Sequence, residues 1–505
     1  MAFSWVMRAA RHRNVVSTAH KKDSRGLAFV VIATVVLAVA ARLTIAWLAP
    51  AVSPDGGVYL IVADNIRLNG CLSLSDPTGG QCVPHWGGNH PPGYPIMLWL
   101  SWLPFGRTEF AGLAAQSILF ALAAGWMARA AALYSGSMWM GLAAGFIVAL
   151  SPVQVAWARF VLPETLALTG TIWLFAELML SLEAKKLRIV PIGLALGLAF
   201  FARYDNLLLI LPVALCGFML HRPVEALRRG MAVALIFSAP ILIWSGYNVA
   251  RGLSLVPDPF FFQDGRPTPH GYLAWGNTWI TTIYQGGSFA YPLQNKSYDR
   301  IRIDPAAYDS TEERTRIEAL LARLSSASGE PFPAEIDAEF AEIAASRRNG
   351  NPLRHWVGVP LQRMVQFWIN PYYSFGWPIE IDSKLTPTQR ELLANGSVGG
   401  VLQVARAYAV ESAVKAGITG YRYVLLALGL GIVGLALGRK LQPVSPFVWL
   451  VATYVVSRTI ALSLQSSIDN RYMIEALAPL EIAVALAVGI FLLSRRRATA
   501  MQPDG

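Results

Sequence analysis

The sequence predicts a mainly α-helical, polytopic membrane protein, and three observations carry that prediction. The 505 residues are 54% hydrophobic and only 14% charged, whereas about a quarter of the residues in an ordinary soluble domain are charged. Ten apolar segments reach or approach the roughly 20 residues needed to cross a bilayer. They are 27–48, 109–130, 137–157, 163–182, 189–202, 206–220, 231–250, 421–438, 444–464 and 472–494. With the N-terminus placed in the cytoplasm, the inner connections carry 18 Lys and Arg against four Asp and Glu. That asymmetry is the positive-inside pattern. It accounts for the net charge of +11 through orientation and excludes nucleic acid as the expected partner.

The elements follow in order. Residues 1–26 form a basic cytoplasmic lead, too long for an ordinary cleaved signal peptide, so 27–48 is expected to remain as the first helix. Loop 49–108 is then external. Within it a helix should start at Pro54, and 91–104 should lie at the interface as a juxtamembrane helix with Trp99 and Trp102 at headgroup level. The segments 189–202 and 206–220 together are too long for one span and meet at a polar turn, Arg203-Tyr204-Asp205. A first transmembrane module is therefore expected over 27–250.

A large external segment follows over 251–420, with 16 Lys and Arg against 17 Asp and Glu. Its opening stretch, 252–295, is rich in Gly, Pro and aromatics and reads as loops. Helical spacing and N-cap residues place helices over 311–325 and 333–348. Residues 353–369 are amphipathic, with Arg354 and Arg363 among Trp356, Phe367 and Trp368. They read as an interfacial helix kinked by Pro360. The C-terminal helices occupy 421–494 and a basic tail 495–505 returns to the cytoplasm. No internal repeat is visible.

Outside 251–420 the unusual polar residues collect on the external side. They are Asp55 with Tyr59, His85 with His90, Arg159 with Glu164, Arg203 with Asp205, and Asp469-Asn470-Arg471-Tyr472. Ionisable groups beside a bilayer are unfavourable unless paired, hydrated or functional. Asp55 and Tyr59 share one face of a helix. The carboxylate can serve as a general base towards a hydroxyl, or it can simply cap the helix. Arg159, Arg203, Arg471 and His90 can bind a phosphate. The alternative pairs Arg159 with Glu164, Arg203 with Asp205 and Arg471 with Asp469 as structural ion pairs.

His85 and His90 match no zinc spacing. No metal or other cofactor is expected, and nothing in the sequence supports a divalent cation. Arg42, Glu177, Arg458, Glu475 and Glu481 lie within apolar segments, where they pair or line a wet cavity. Cys71 and Cys82 share the first external loop, where an oxidising compartment permits a disulfide. Cys216 lies inside a helix and reads as a small apolar filler.

Five stretches, in this order, resemble the GT-C class of polyprenyl-phosphate-sugar-dependent glycosyltransferases, especially glycosyltransferase family 39 and the lipid A aminoarabinose transferases. They are SPDGGVYLIVADNIRLNG (53–70), HPPGYPIMLWL (90–100), SPVQVAWARFVLPETLAL (151–168), GLALGLAFFARYDNLLL (193–209) and DNRYMIEALAPL (469–480). The resemblance implies a GT-C-like bundle of about ten transmembrane helices with juxtamembrane helices. It places the catalytic acid at Asp55, donor-phosphate contacts at Arg159, Arg203, Arg471 and His90, and substrate contacts at Tyr59, Glu164, Asp205 and Tyr472. Two departures stand out. Gly56 follows Asp55 where many members have a second acid, and His90 replaces the Lys of the aminoarabinose branch.

The implied reaction is an inverting transfer from a polyprenyl-phosphate sugar to a hydroxyl of a lipid, glycan or protein. It would occur at the periplasmic face of a bacterial inner membrane. A transporter or flippase of lipid-linked sugars is the alternative, and it would place its charges along a midplane path with internal repeats. A non-catalytic scaffold would leave the polar clusters without a purpose. An O-antigen-ligase-type enzyme would keep its main catalytic groups in 251–420.

Overall fold

A computed structural model describes residues 24–80, 91–252, 255, 266–370, 376–377, 384–394, 398–438, 444–466 and 468–500. Among these the chain is helical, and an isolated bridge joins Ala51 to Phe160. Seven helices are long and apolar enough to cross a membrane: Ser24–Leu48, Glu109–Ser135, Glu164–Ala184, Pro223–Ala250, Ala409–Leu437, Ser445–Ser463 and Asn470–Leu492. Three shorter apolar helices, Met138–Leu150, Ile189–Ala202 and Tyr204–Leu220, join them. The protein is a multi-pass α-helical membrane protein, as the apolar segments predict.

Local chemistry sets the boundaries. Ser53 caps Pro54–Asn69 by accepting the Gly56 N–H at 3.1 Å, and Gly70 closes it in the left-handed region. Thr108 caps Glu109–Ser135 and Gly136 ends it in the same way. These are the side-chain acceptor and αL terminator that helix ends require. The expected span 137–157 is broken: Met138–Leu150 stops, and Ser151 and Pro152 restart the chain as Pro152–Trp157. Proline has no N–H to donate, so it suits the first turn of a new helix.

At the centre lies Glu164–Ala184, buried nearly throughout. Glu109–Ser135 and Ile189–Ala202 pack on it, and Ser24–Leu48 packs on Glu109–Ser135. Gly93 allows Gly93–Phe105 to touch the end of Ile189–Ala202. A Cβ there would sit 2.5 Å from the Phe201 carbonyl oxygen. Trp102 is buried against the bundle, with its indole N–H donating to the Thr108 carbonyl at 3.0 Å.

Beyond Ala250 two expectations change. The stretch read as loops holds the helices His270–Gly276 and Ile283–Gln294. Thr282 and Gln285 form a capping box for the second. Tyr272 and Trp275 stack among Phe289 and Phe340. This aromatic core makes helices of a Gly-rich sequence, because tertiary packing outweighs weak propensity. The helix expected over 421–438 begins earlier, as Ala409–Leu437.

The expected helices at 311–325 and 333–348 are Thr311–Ser326 and Ala334–Gly350. Pro360 sits in the first turn of Val359–Ile369, which follows a wide π turn, Arg354–Gly358. Buried arginines fasten this segment to the bundle. Arg363 donates to the carbonyls of Asn277, Ile280 and Ser463, and Arg422 to those of Trp368 and Asn370. Each guanidinium thereby ends helices that would otherwise leave carbonyls without donors.

Candidate active site at one end of the helix bundle

The bridge between Ala51 and Phe160 organises the site end. Ala51 N–H donates to Arg159 O at 2.9 Å, and Val161 N–H donates to Ala51 O at 3.2 Å. This pairing sets the start of Pro54–Asn69 beside the turn that leads into Glu164–Ala184. Gly56 faces that turn, where a Cβ would lie 2.7 Å from the Val161 carbonyl oxygen. A second acid at position 56 has no room here. Because Ser53 performs the capping, the Asp55 carboxylate is left free for another partner.

That partner is Arg471. Its Nη1 lies 3.0 Å from Asp55 Oδ2, and the two side chains are 22% and 47% exposed. Arg471 Nε also stands 2.9 Å from Asp469 and 3.8 Å from Glu164. Glu164 is buried and takes the Arg203 Nη1 at 2.9 Å. Arg203 pairs in addition with Asp205 at 3.0 Å and Glu475 at 3.3 Å. The Tyr472 ring lies against both cations, 4.8 Å from the Arg203 guanidinium carbon and 5.4 Å from that of Arg471. Such faces attract cations through the ring quadrupole.

Tyr59 is buried within reach of the same charges. Burial, and then the negative charges of Glu164 and Asp55, push its phenol well above the ordinary range, against the pull of Arg203 and Arg471. It stays protonated and can donate a hydrogen bond. Its ring meets Tyr94 edge-on at 5.2 Å, and Tyr94 in turn bonds Gln116 at 3.0 Å. Gln116 donates to the carbonyls of Ala158 and Phe160, which steadies the turn before Glu164.

Behind these groups stands Arg458, fully buried on Ser445–Ser463. It contacts Asp205 at 2.8 Å, Glu475 at 2.9 Å, Asn206 at 3.0 Å and the Tyr472 carbonyl at 2.7 Å. Sequence reasoning placed Arg458 among costly membrane charges without seeing its position behind the site. Its partners are too distant in the chain for spacing to reveal them.

Asp55, Tyr59, Glu164, Arg203, Asp205, Arg471 and Tyr472 are thus brought together. The local pairs Arg203–Asp205 and Arg471–Asp469 both exist, yet each also joins the longer network. Arg159 is directed elsewhere: its Nε donates to Ala49 O at 2.5 Å, its Nη1 to Gly376 O at 2.9 Å, and it stacks on Phe160. Glu164 takes Arg203 and Arg471 as partners in place of Arg159. Cys71 is disulfide-bonded and Cys216 is a free, buried thiol. His85, His90 and Cys82 lie outside the described residues. Among the described residues no group of three or more His, Cys, Asp or Glu could hold a metal ion.

Residues 89–244 match the family model of dolichyl-phosphate-mannose-protein mannosyltransferase. The matched stretch is a GT-C-type glycosyltransferase domain. It carries Tyr94, Glu164, Arg203 and Asp205, while Asp55 and the 469–475 turn reach the same site from outside it. No curated protein and no solved structure matches the chain. In general terms this match supports a membrane glycosyltransferase of the kind served by lipid-linked sugars.

Proposed function

We propose that the chain transfers a sugar, with inversion, from a polyprenyl monophosphate to an acceptor hydroxyl at the external face of the membrane. The observation that carries this reading is the half-exposed Asp55 carboxylate held at 3.0 Å from Arg471, at the rim of helices whose sequence matches a glycosyltransferase domain. The acceptor oxygen attacks the anomeric carbon and forms the new C–O bond. The bond from that carbon to the phosphate oxygen breaks, and its electron pair leaves on the lipid phosphate. Asp55 takes the acceptor proton.

Arg471 and Arg203 supply positive charge where the leaving phosphate develops its negative charge, a contribution that is usually large in group transfer. Glu164 Oε2 is buried without a hydrogen-bond partner among the described residues. It offers an acceptor to a sugar hydroxyl, and the protonated Tyr59 offers a donor. Arg159 holds the 49–51 and 376 backbone beside the site and so shapes its edge. A lipid-linked donor fits an enzyme whose reacting groups lie at helix ends, where an isoprenoid tail can stay in the bilayer.

The decisive experiment compares envelope lipids and glycans, by mass spectrometry, from cells carrying the wild-type chain, Asp55→Asn, or no chain. Loss of one sugar mass in both mutant strains supports the reading and names sugar and acceptor together. Identical profiles in all three strains would remove transferase activity at Asp55. Reporter fusions at Lys186 and Arg300 test the orientation and should report opposite sides of the membrane.

A further inference from the structure

Three carboxylates surround the single guanidinium of Arg471, and they are not equivalent. Glu164 is almost fully buried and also holds Arg203. Asp469 accepts the Arg471 backbone N–H at 2.9 Å through its second oxygen, capping the turn Asn470–Met473. Asp55 is the most exposed of the three and has no partner but Arg471 among the described residues. It belongs to a different helix from the other two. Only Asp55 can leave without breaking a cap or exposing a second buried charge.

Arg471 Nε is itself buried without an aligned acceptor, although Asp469 lies close enough for an ion pair. The guanidinium is therefore incompletely hydrogen-bonded, and one of its occupied positions is held by the carboxylate that must act as base. A phosphate monoester brings several acceptor oxygens on one centre and suits a guanidinium better than a single carboxylate oxygen does. Placed beside an unmoved Asp55 it would also be repelled by like charge.

We propose that Asp55 is the internal competitor of the donor phosphate for Arg471, so that donor binding releases the base. This rests on the transferase reading and deepens it. Without donor, Asp55 Oδ2 accepts an Arg471 N–H and the carboxylate is held against the guanidinium. When the lipid phosphate takes that N–H, the carboxylate turns free towards the acceptor. Seating the glycosyl phosphate thus frees the base, and acceptor hydroxyls are activated chiefly when a sugar is in place.

The test measures binding of decaprenyl monophosphate to the full chain in phosphatidylcholine nanodiscs, with decaprenol as the uncharged control. Wild type should prefer the phosphate. Asp55→Asn, and Asp55→Ser as a second variant, should bind it roughly two- to fivefold more tightly, with decaprenol unchanged, since a competing ion pair of this exposure is worth about that factor. In an Arg471→Gln background the gain should vanish. Equal binding of phosphate and decaprenol by wild type would overturn the donor reading itself. Preference for phosphate without a gain in the Asp55 variants, or with a gain that survives loss of Arg471, would overturn the competition alone.

Discussion

Arg458 and Asp205 lie 253 residues apart in sequence, and their side chains meet at 2.8 Å inside the helix bundle. The same guanidinium reaches Glu475 at 2.9 Å, so one cation joins the turn after Ile189–Ala202 to the start of the last helix. Removing one member of a buried ion pair typically destabilises by about 3–5 kcal/mol, because the remaining charge is stranded. Arg458→Leu should lower stability by about that amount, read as thermal melting of the detergent-solubilised protein. Adding Glu475→Gln should recover part of the loss. Full stability in Arg458→Leu would show that the network does not hold these turns together.

Gly56 and Gly57 provide a matched pair of substitutions. A Cβ at Gly56 would press on the Val161 carbonyl oxygen, whereas a Cβ at Gly57 meets nothing within 4 Å. Gly56→Ala must therefore push the Asp55-bearing helix away from its partner turn. Overpacking of this kind costs typically about 1–3 kcal/mol, and misplacing a catalytic group by about 1 Å can cost a hundredfold in rate. Gly56→Ala should lose both stability and turnover while Gly57→Ala stays close to wild type. Equal behaviour of the two variants would contradict the close approach.

Much of this was legible in the residues. Apolar length located seven long and three shorter apolar helices among the described residues, and Pro54 marked the start of the helix carrying Asp55. Arg203-Tyr204-Asp205 announced itself because a polar triplet between two short apolar runs has few other uses. What stayed hidden depends on contacts distant in sequence. Arg458 looked like any costly membrane charge until Asn206, Asp205 and Glu475 closed around it. Arg159 sat at the spacing a phosphate ligand would have, and its hydrogen bonds to the Ala49 and Gly376 carbonyls have no signature in the sequence. The helices His270–Gly276 and Ile283–Gln294 were masked by Gly content, because stacking of Tyr272 on Phe289 has no periodic signature.

His355 makes the segment after Ala250 sensitive to acid. Burial holds its imidazole below the ordinary value of 6.5, against the opposing hydrogen bond to the Thr278 carbonyl. Arg354 and Arg347 add to the depression, and Asp309 works against it. A depressed folded value means the unfolded chain binds the proton more tightly. The stabilising effect is thus present above about pH 6.5 and is lost as pH falls through the folded value. Wild type should melt progressively earlier below that pH, and His355→Gln should show a flatter profile. Parallel profiles would place the acid sensitivity on other groups.

Arg471 and Arg159 separate two meanings of a cation near an active site. Arg471 faces three carboxylates at the rim, on the same element as Tyr472, and its exposed edge can meet a phosphate. Arg159 spends its N–H groups on Ala49 and Gly376 and lies over Phe160. Losing a charge-assisted contact to the lipid phosphate removes about 1.5–3 kcal/mol of binding. Arg471→Gln should therefore raise the donor KM by roughly ten- to a hundredfold with the melting temperature nearly kept. Arg159→Gln should do the reverse, lowering the melting temperature while the remaining folded enzyme uses donor with a similar KM. Should Arg159→Gln raise the donor KM as strongly as Arg471→Gln, both cations would belong to the phosphate site.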